Sequence, residues 1–238
     1  MKNMFSYDSK LMSVLGFLAD MFICNVLFLL CCIPVITIGP AQSALHSAMR
    51  VLADPEDDRS CAKTFFKSFI SGFGKISIGW LLVFIFDLIL FYTLLMTYSY
   101  AEYQLFVHWA LPLVVLVICL TYHSVMTVFH SQFGCTFPQL LKNTFLVMII
   151  HPIRSLATGV LTWAPIAFAI MMPELFVRST PLFLAVYYSI AFMLVSLLMK
   201  KPFQKLIDHF NGDDIEIKNE PEEKEEDFAP EGPRLPLQ

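Results

Sequence analysis

Charged residues are scarce in this chain. Asp, Glu, Lys and Arg make up 15% of its 238 residues and 57% are hydrophobic, whereas soluble domains carry about 25% charged residues. This deficit argues against a soluble domain, a disordered chain and a disulfide-rich secreted module. The sequence also lacks C-x-x-C, H-E-x-x-H and G-x-S-x-G motifs, so we expect no metal site, no cofactor and no hydrolase nucleophile elbow.

Four long segments contain no Asp, Glu, Lys or Arg: residues 21–49, 103–141, 155–173 and 179–199. About 20 apolar residues suffice for a helix to cross a hydrocarbon core of roughly 30 Å. A β-barrel would instead show alternating polar and apolar residues in strands of about 10, and the apolar runs here do not alternate. The pattern therefore predicts an all-α, polytopic helical membrane protein.

We predict five membrane spans, at about 16–38, 76–97, 108–129, 155–172 and 182–199. The segment 143–172 leaves two alternatives open, because His151-Pro152 interrupts its apolar residues. It forms either one kinked helix, or a short surface helix followed by a span. Residues 1–210 are predicted to form the membrane domain, and 211–238 a disordered acidic tail whose composition cannot bury enough apolar surface.

The orientation follows from the distribution of Lys and Arg among the connecting segments. The connections between spans 1 and 2 and between spans 3 and 4, with residues 200–210 directly after span 5, hold ten cations, whereas the opposite side holds only Lys2, Lys10 and Arg178. We therefore predict a multi-pass membrane protein with its N-terminus outside and its C-terminus in the cytoplasm.

The first cytoplasmic connection is predicted to contain two amphipathic helices. Gly39-Pro40 should break span 1 and start a helix over 41–52, and Ser60 could cap a second helix that continues into span 2. The second helix combines an aromatic face with basic residues, namely Lys63, Phe66, Lys67, Phe69, Phe73 and Lys75. Such a face suits the membrane interface, but it could equally pack on neighbouring helices.

Polar residues at membrane depth are the main candidates for a functional site, since they are costly there and tend to face a bundle interior or a cavity. They are Asp20, Asn25, Asp87, His123 and Arg154. Asp87 is the strongest candidate because it lies near the middle of span 2, whereas Asp20 and Arg154 could lie near the membrane interfaces. The alternative to a proton or solute site is a polar clamp between helices.

Six cysteines are present, but their positions do not indicate disulfides. Four of them fall inside predicted spans, where cysteine behaves as a small apolar residue. Cys61 and Cys135 fall in cytoplasmic connections, which are reducing.

Residues 33–41 resemble the YesL family, a group of uncharacterised bacterial membrane proteins whose signature is a proline, an apolar pair and Thr-x-Gly at the end of the first span. The matching residues are Pro34, Thr37 and Gly39. Residues 65–75 and 143–152 carry weaker similarities. The resemblance implies a context of Bacillota and of genes for carbohydrate import, and it supplies no catalytic residue.

Three functions remain as expectations. We expect an accessory or regulatory membrane protein associated with carbohydrate uptake, whose partners are the bilayer, a membrane protein such as a carbohydrate importer, or a second copy of the chain, but not nucleic acid. A small transporter or channel-like carrier is the alternative, and a membrane-embedded enzyme is third, since no catalytic motif is present.

In the motif, we expect Gly39 to supply unusual backbone angles and Thr37 to bond a carbonyl freed near Pro34.

Overall fold

A computed structural model describes residues 10–54, 59–99, 107–134, 136–209 and 216–217. These ranges form an all-α structure, as predicted from the apolar runs. Five helical segments are long and apolar enough to cross a membrane: Met12–Cys31, Ile76–Thr97, Ala110–Gln132, Pro152–Met171 and Ala185–Phe203. The chain is therefore a polytopic helical protein of the membrane type.

The first helix, α1 (Lys10–Cys31), ends well before residue 38, where the sequence analysis placed the end of the span. Pro34 explains the difference, because its ring has no N–H and disfavours helical angles in the residue before it. A 3₁₀ turn (Val35–Thr37) follows. The prediction that Gly39-Pro40 breaks the span is therefore wrong, since the break lies around Pro34.

The second helix, α2 (Ile38–Leu52), is the most buried element of the described chain. Every residue from Gly39 to Met49 is buried, and the helix packs against α1, α3, α4 and α8. The sequence predicted an amphipathic helix over 41–52 in the first cytoplasmic connection, whereas α2 is buried on all sides from Gly39 to Met49. Small residues such as Ala41, Ala44 and Ala48 let the neighbouring helices approach it closely.

The third helix, α3 (Cys61–Ser99), joins the predicted cytoplasmic helix and the second span into one element of 39 residues. Phe66 and Phe73 are exposed, as are Lys63 and Lys67, while Phe69 is half-buried. Most of this aromatic and basic face is therefore not covered by neighbouring helices of the described chain, and its placement at the membrane interface stays a prediction. Lys75 lies in the helix, but its side chain is outside the described part of the chain.

The middle of the chain contains α4 (Val107–Gln132), α5 (Phe137–Ile150) and α6 (Pro152–Met171). A capping box at Thr136 and Gln139 begins α5. His151 separates α5 from α6 with φ −127° and ψ 60°, because Pro152 disfavours helical angles in the residue before it. Of the two alternatives for 143–172, the structure shows two helices rather than one kinked helix.

The last part of the chain comprises α7 (Pro173–Leu182), a π-helical turn (Phe183–Tyr187) and α8 (Tyr188–His209). A short β1 (Phe133–Gly134) pairs antiparallel with β2 (Glu216–Ile217). The rest of the predicted acidic tail lies outside the described residues, as does Cys135, so the disorder of the tail stays a prediction.

Two buried clusters hold the bundle together. One lies mainly between α3, α4 and α8 around Trp80, Phe129 and Phe203. The other lies between α1, α2, the start of α3 and α8 around Phe28, Leu45 and Phe192. Because α2 borders both clusters, it positions the polar residues described next.

Candidate functional site

Asp87 of α3 and His123 of α4 form a buried polar pair. The distance between His123 Nδ1 and Asp87 Oδ2 is 3.2 Å, and the two residues are only 0% and 5% exposed. One proton joins them, carried either by the imidazole or by the carboxyl group. The sequence identified both residues separately, and the packing of α3 on α4 brings them together.

Aromatic rings surround the imidazole. The ring centroid of His123 lies 4.8 Å from that of Trp80 and 5.6 Å from that of Trp163. The indole N–H of Trp163 donates to the carbonyl of Leu120 over 3.0 Å, which fixes α6 on α4. Trp80 also stacks on Phe84 at 4.7 Å. The pair is therefore held in apolar surroundings at the junction of three helices.

Three buried atoms of this cluster have no hydrogen-bond partner within the described chain: Asp87 Oδ1, His123 Nε2 and Trp80 Nε1. A buried polar atom without a partner costs about 1–3 kcal/mol, so proteins rarely keep several together without a reason. The arrangement can clamp two helices, and its free oxygen and nitrogen could also accept or donate a proton.

The other predicted polar residues lie elsewhere. Asn25 is buried, and its Oδ1 accepts a hydrogen bond from the backbone N–H of Ser189 over 3.2 Å. The Ser189 hydroxyl donates to the carbonyl of Met21 over 2.8 Å. Asn25 thus joins α1 to α8, which is a structural contact. Asp20 is exposed on α1.

Arg154 lies in a groove at the break between α5 and α6, together with Lys201 of α8. The five candidates therefore do not share one cavity, and only Asp87 and His123 contact each other among them.

The segment with Pro34, Thr37 and Gly39 forms a compact turn between α1 and α2. The Thr37 hydroxyl lies 2.5 Å from the carbonyl oxygen of Cys31 and 2.6 Å from that of Pro34, so the predicted hydrogen bond is present. Gly39 has a different role from the predicted one, since it lies inside α2 with no need for unusual backbone angles. It is small because the indole of Trp80 packs directly on it.

Sequence analysis missed a buried polar network between α2 and α4. Ser43 Oγ lies 2.9 Å from His130 Nδ1, and the Ser47 hydroxyl lies 3.2 Å from the carbonyl oxygens of Ser43 and Ser131. The spacing of Ser43 and Ser47 by one helical turn was the available signal. This spacing did not predict a buried network, because the sequence placed residues 41–52 in a cytoplasmic connection.

His46, also on α2, is buried and stacks on Phe192 with ring centroids 4.2 Å apart. Burial lowers the pKa of His46 to about 3, because the charged form would lose its hydration. A hydrogen bond to the backbone of Phe192 favours the charged form of the ring, but burial has the larger effect. His46 is therefore neutral at physiological pH and acts as part of the apolar packing.

The Cys24 and Cys61 thiols, from α1 and α3, are hydrogen-bonded to each other, and all five cysteines that the structure describes are free. Within the described ranges, no three His, Cys, Asp or Glu side chains are grouped so that they could hold a metal ion.

Comparison with known protein families found a match in the first part of the chain. Residues 21–94 match the family model DUF624, described as a protein of unknown function. The matched segment includes the turn around Thr37, the buried α2 and Asp87, and it ends before His123 and Arg154. No curated protein and no solved structure matches the chain significantly. Residues 21–94 therefore resemble an uncharacterised domain family, and no activity comes with the resemblance.

Proposed function

We propose that this chain is an accessory or regulatory integral membrane protein that acts by contacting the helices of a partner protein within the membrane. The observation that carries the proposal is the exposure of Asp20. The first span begins at Met12 and not at residue 16, so Asp20 lies about 12 Å from the nearer end of the span at 1.5 Å per residue. In a bilayer crossed by this span, such a depth would lie inside the hydrocarbon core of roughly 30 Å.

A carboxylate in this place needs a partner. Within the described chain Asp20 has no hydrogen bond or ion pair, and a charged residue at the centre of a span costs about 2.5–3.5 kcal/mol on insertion scales. A hydrogen-bond donor or a cation on a partner helix would offset this cost. Asp20 therefore marks the side of α1 at which we place the partner.

The same side of α1 allows a second helix to approach closely. Ser13 and Gly16 precede Asp20 by seven and four residues, which places them on one side of the helix, and both are exposed. A Cβ added at Gly16 would meet no atom within 4 Å. Small residues of this kind are enriched where membrane helices pack together.

The resemblance to the YesL family extends the proposal to carbohydrate uptake, and the partner we name is a carbohydrate importer in the bacterial plasma membrane. The N-terminus outside and the C-terminus in the cytoplasm belong to the same proposal, supported by the bias of Lys and Arg. No catalytic step is part of it.

The proposal is tested by purifying the tagged full chain from its native membrane in mild detergent and quantifying co-purified importer subunits by mass spectrometry. Asp20→Leu removes the carboxylate, so we expect the protein level to stay the same or rise while the importer is lost. Asp20→Asn retains hydrogen bonding and should keep part of it. Phe22→Ala, an exposed position on another side of α1, serves as the matched control. A chain that reproducibly emerges alone, or with equal partner amounts in all variants, would overturn the proposal.

A second candidate function, a small proton-linked carrier, is favoured by the Asp87–His123 pair. Two ionisable groups lie within the spans Ile76–Thr97 and Ala110–Gln132, and each keeps an atom without a partner in the described chain. Prolines inside α4 and α6 interrupt their backbone hydrogen bonds, as in many transporter helices. Proton movement in vesicles containing the chain and a pH-sensitive dye should then exceed that in empty vesicles and be lost in His123→Gln. Equal rates in all three would exclude this function.

A further inference from the structure

A groove opens where α5 ends and α6 begins. It has a volume of about 350 Å³ and is lined by Ile150, His151, Pro152, Ile153, Arg154 and Lys201. Five of these residues are consecutive, while Lys201 comes from α8. The chain therefore brings a distant cation to the break between two helices.

The two cations of the groove lie at the same depth. Arg154 is the third residue of the span Pro152–Met171, and Lys201 is the third residue from the end of the span Ala185–Phe203. Because one span starts where the other ends, both side chains lie at the same membrane surface, in the depth range of lipid headgroups. This surface is the predicted cytoplasmic one.

The charges that line the groove, those of Arg154 and Lys201, are both positive. None of the six lining residues is acidic, and within the described chain neither Arg154 nor Lys201 has an ion pair. Arg154 is half-buried and Lys201 is exposed. Two cations held together without a carboxylate repel each other, and an anion between them would remove this repulsion.

The backbone and the apolar neighbours add to the same preference. The first turn of α6 has backbone N–H groups without intrahelical partners, and the dipole of this 20-residue helix favours an anion there. Ile150 and Ile153, beside the cations, are 52% and 83% exposed. An anionic head next to an apolar surface is the chemistry of a phospholipid.

We propose that this groove binds a phosphate group, with Arg154 and Lys201 as its charged ligands. The phosphate can belong to an anionic phospholipid or to a free phosphate. Basic pockets between membrane helices on the cytoplasmic side bind such headgroups, and the guanidinium of Arg154 suits two oxygens of one phosphate. The site is separate from the partner surface around Asp20.

The test is a lipid titration of the full chain followed by native mass spectrometry. Dioleoylphosphatidylglycerol is the anionic probe, dioleoylphosphatidylcholine the zwitterionic one, and inorganic phosphate, read out by thermal shift, the free one. We expect the anionic lipid to bind more tightly than the zwitterionic lipid. Arg154→Gln and Lys201→Gln should each weaken its binding about fivefold, as expected for one interfacial charge, and stabilisation by inorganic phosphate alone would identify free phosphate.

The control is Lys200→Gln, which removes an exposed cation next to Lys201 that does not line the groove. This variant should bind the lipid as the unaltered chain does. An equal loss in Lys200→Gln would show diffuse attraction and overturn the site, and so would equal affinity for the two lipids. If Arg154→Gln does not fold, Arg154→Lys and Lys201→Gln are titrated instead, and unaltered affinity in Lys201→Gln would overturn the proposal.

Discussion

Gly39 in the first turn of α2 packs directly against Trp80 of α3. A Cβ added at Gly39 would lie 2.5 Å from Cγ and 2.6 Å from Cβ of the Trp80 side chain, which is too close for carbon atoms that are not joined through bonds. Trp80 in turn contacts the ring of His123. The position of α2 and the geometry of the Asp87–His123 pair therefore depend on one residue without a side chain.

The first prediction concerns this contact. Gly39→Ala should lower the free energy of unfolding by about 1–3 kcal/mol, as expected for overpacking a close contact, even though alanine favours helix formation. Thermal unfolding in detergent measures the effect. Gly16→Ala is the matched control, because its added methyl group meets open space and should not destabilise. Equal melting temperatures for the two variants would contradict the close contact.

The second prediction separates a clamp from a functional site at Asp87. Asp87→Leu leaves His123 buried without its partner and should destabilise the fold by about 3 kcal/mol, whereas the double replacement with His123→Leu should cost less than the sum of the single ones. The coupling energy follows from the free energies of unfolding of the unaltered chain, the two single variants and the double variant. Additive effects would show that the pair contributes nothing jointly.

Asp87→Asn tests the same pair more gently, since the amide retains the size of the side chain and a hydrogen bond to His123. Normal protein level with lost function would support a proton or solute site. Loss of the protein itself would support a clamp.

The third prediction concerns the pH dependence of stability through His46. Its pKa lies at about 3 in the folded chain, below the ordinary value of 6.5, so the unfolded chain binds a proton first as pH falls. The neutral His46 therefore contributes its full stabilisation above pH 6.5. Below pH 6.5 the free energy of unfolding falls progressively, by up to about 1.4 kcal/mol per pH unit. His46→Phe retains the stacking on Phe192 and removes the titrating group. Its unfolding free energy should fall less steeply between pH 6.5 and pH 4, and an identical slope would contradict the role of His46.

The fourth prediction tests the packing of α1 against α3. Because the Cys24 and Cys61 thiols are in contact, mild oxidation of membranes should produce an internal disulfide between them. Mass spectrometry of a non-reduced digest detects the linked peptides. Cys24→Ser should abolish this link, while Cys119→Ser, in α4, should leave it unchanged. A link from Cys61 to any other described cysteine would show that the helices pack differently.

The sequence alone determined what depends on local chemistry. Apolar segments of sufficient length must form helices in a membrane, because lipid offers the backbone no hydrogen-bond partners, and four of the five spans follow from charge-free runs. Pro34 and Pro152 each disfavour helical angles in the residue before them, so a helix breaks beside each of them. The Thr37 hydroxyl donates to the carbonyl of Pro34 within its own turn. The boundaries of span 1 were wrong because hydropathy cannot distinguish an apolar helix from an apolar turn.

The tertiary structure decided everything that depends on which faces meet. The absence of charged residues from 39–49 does not distinguish a buried helix from an exposed one. Only the packing shows that α2 is buried and that Trp80 requires glycine at position 39. Asp87 pairs with His123, and Arg154 with the groove that Lys201 enters, through contacts between segments distant in sequence. The sequence marked Asp20 as one of five polar candidates, and only the tertiary structure shows that the bundle leaves it exposed, which matters because the cost of a charge in lipid depends on what surrounds it.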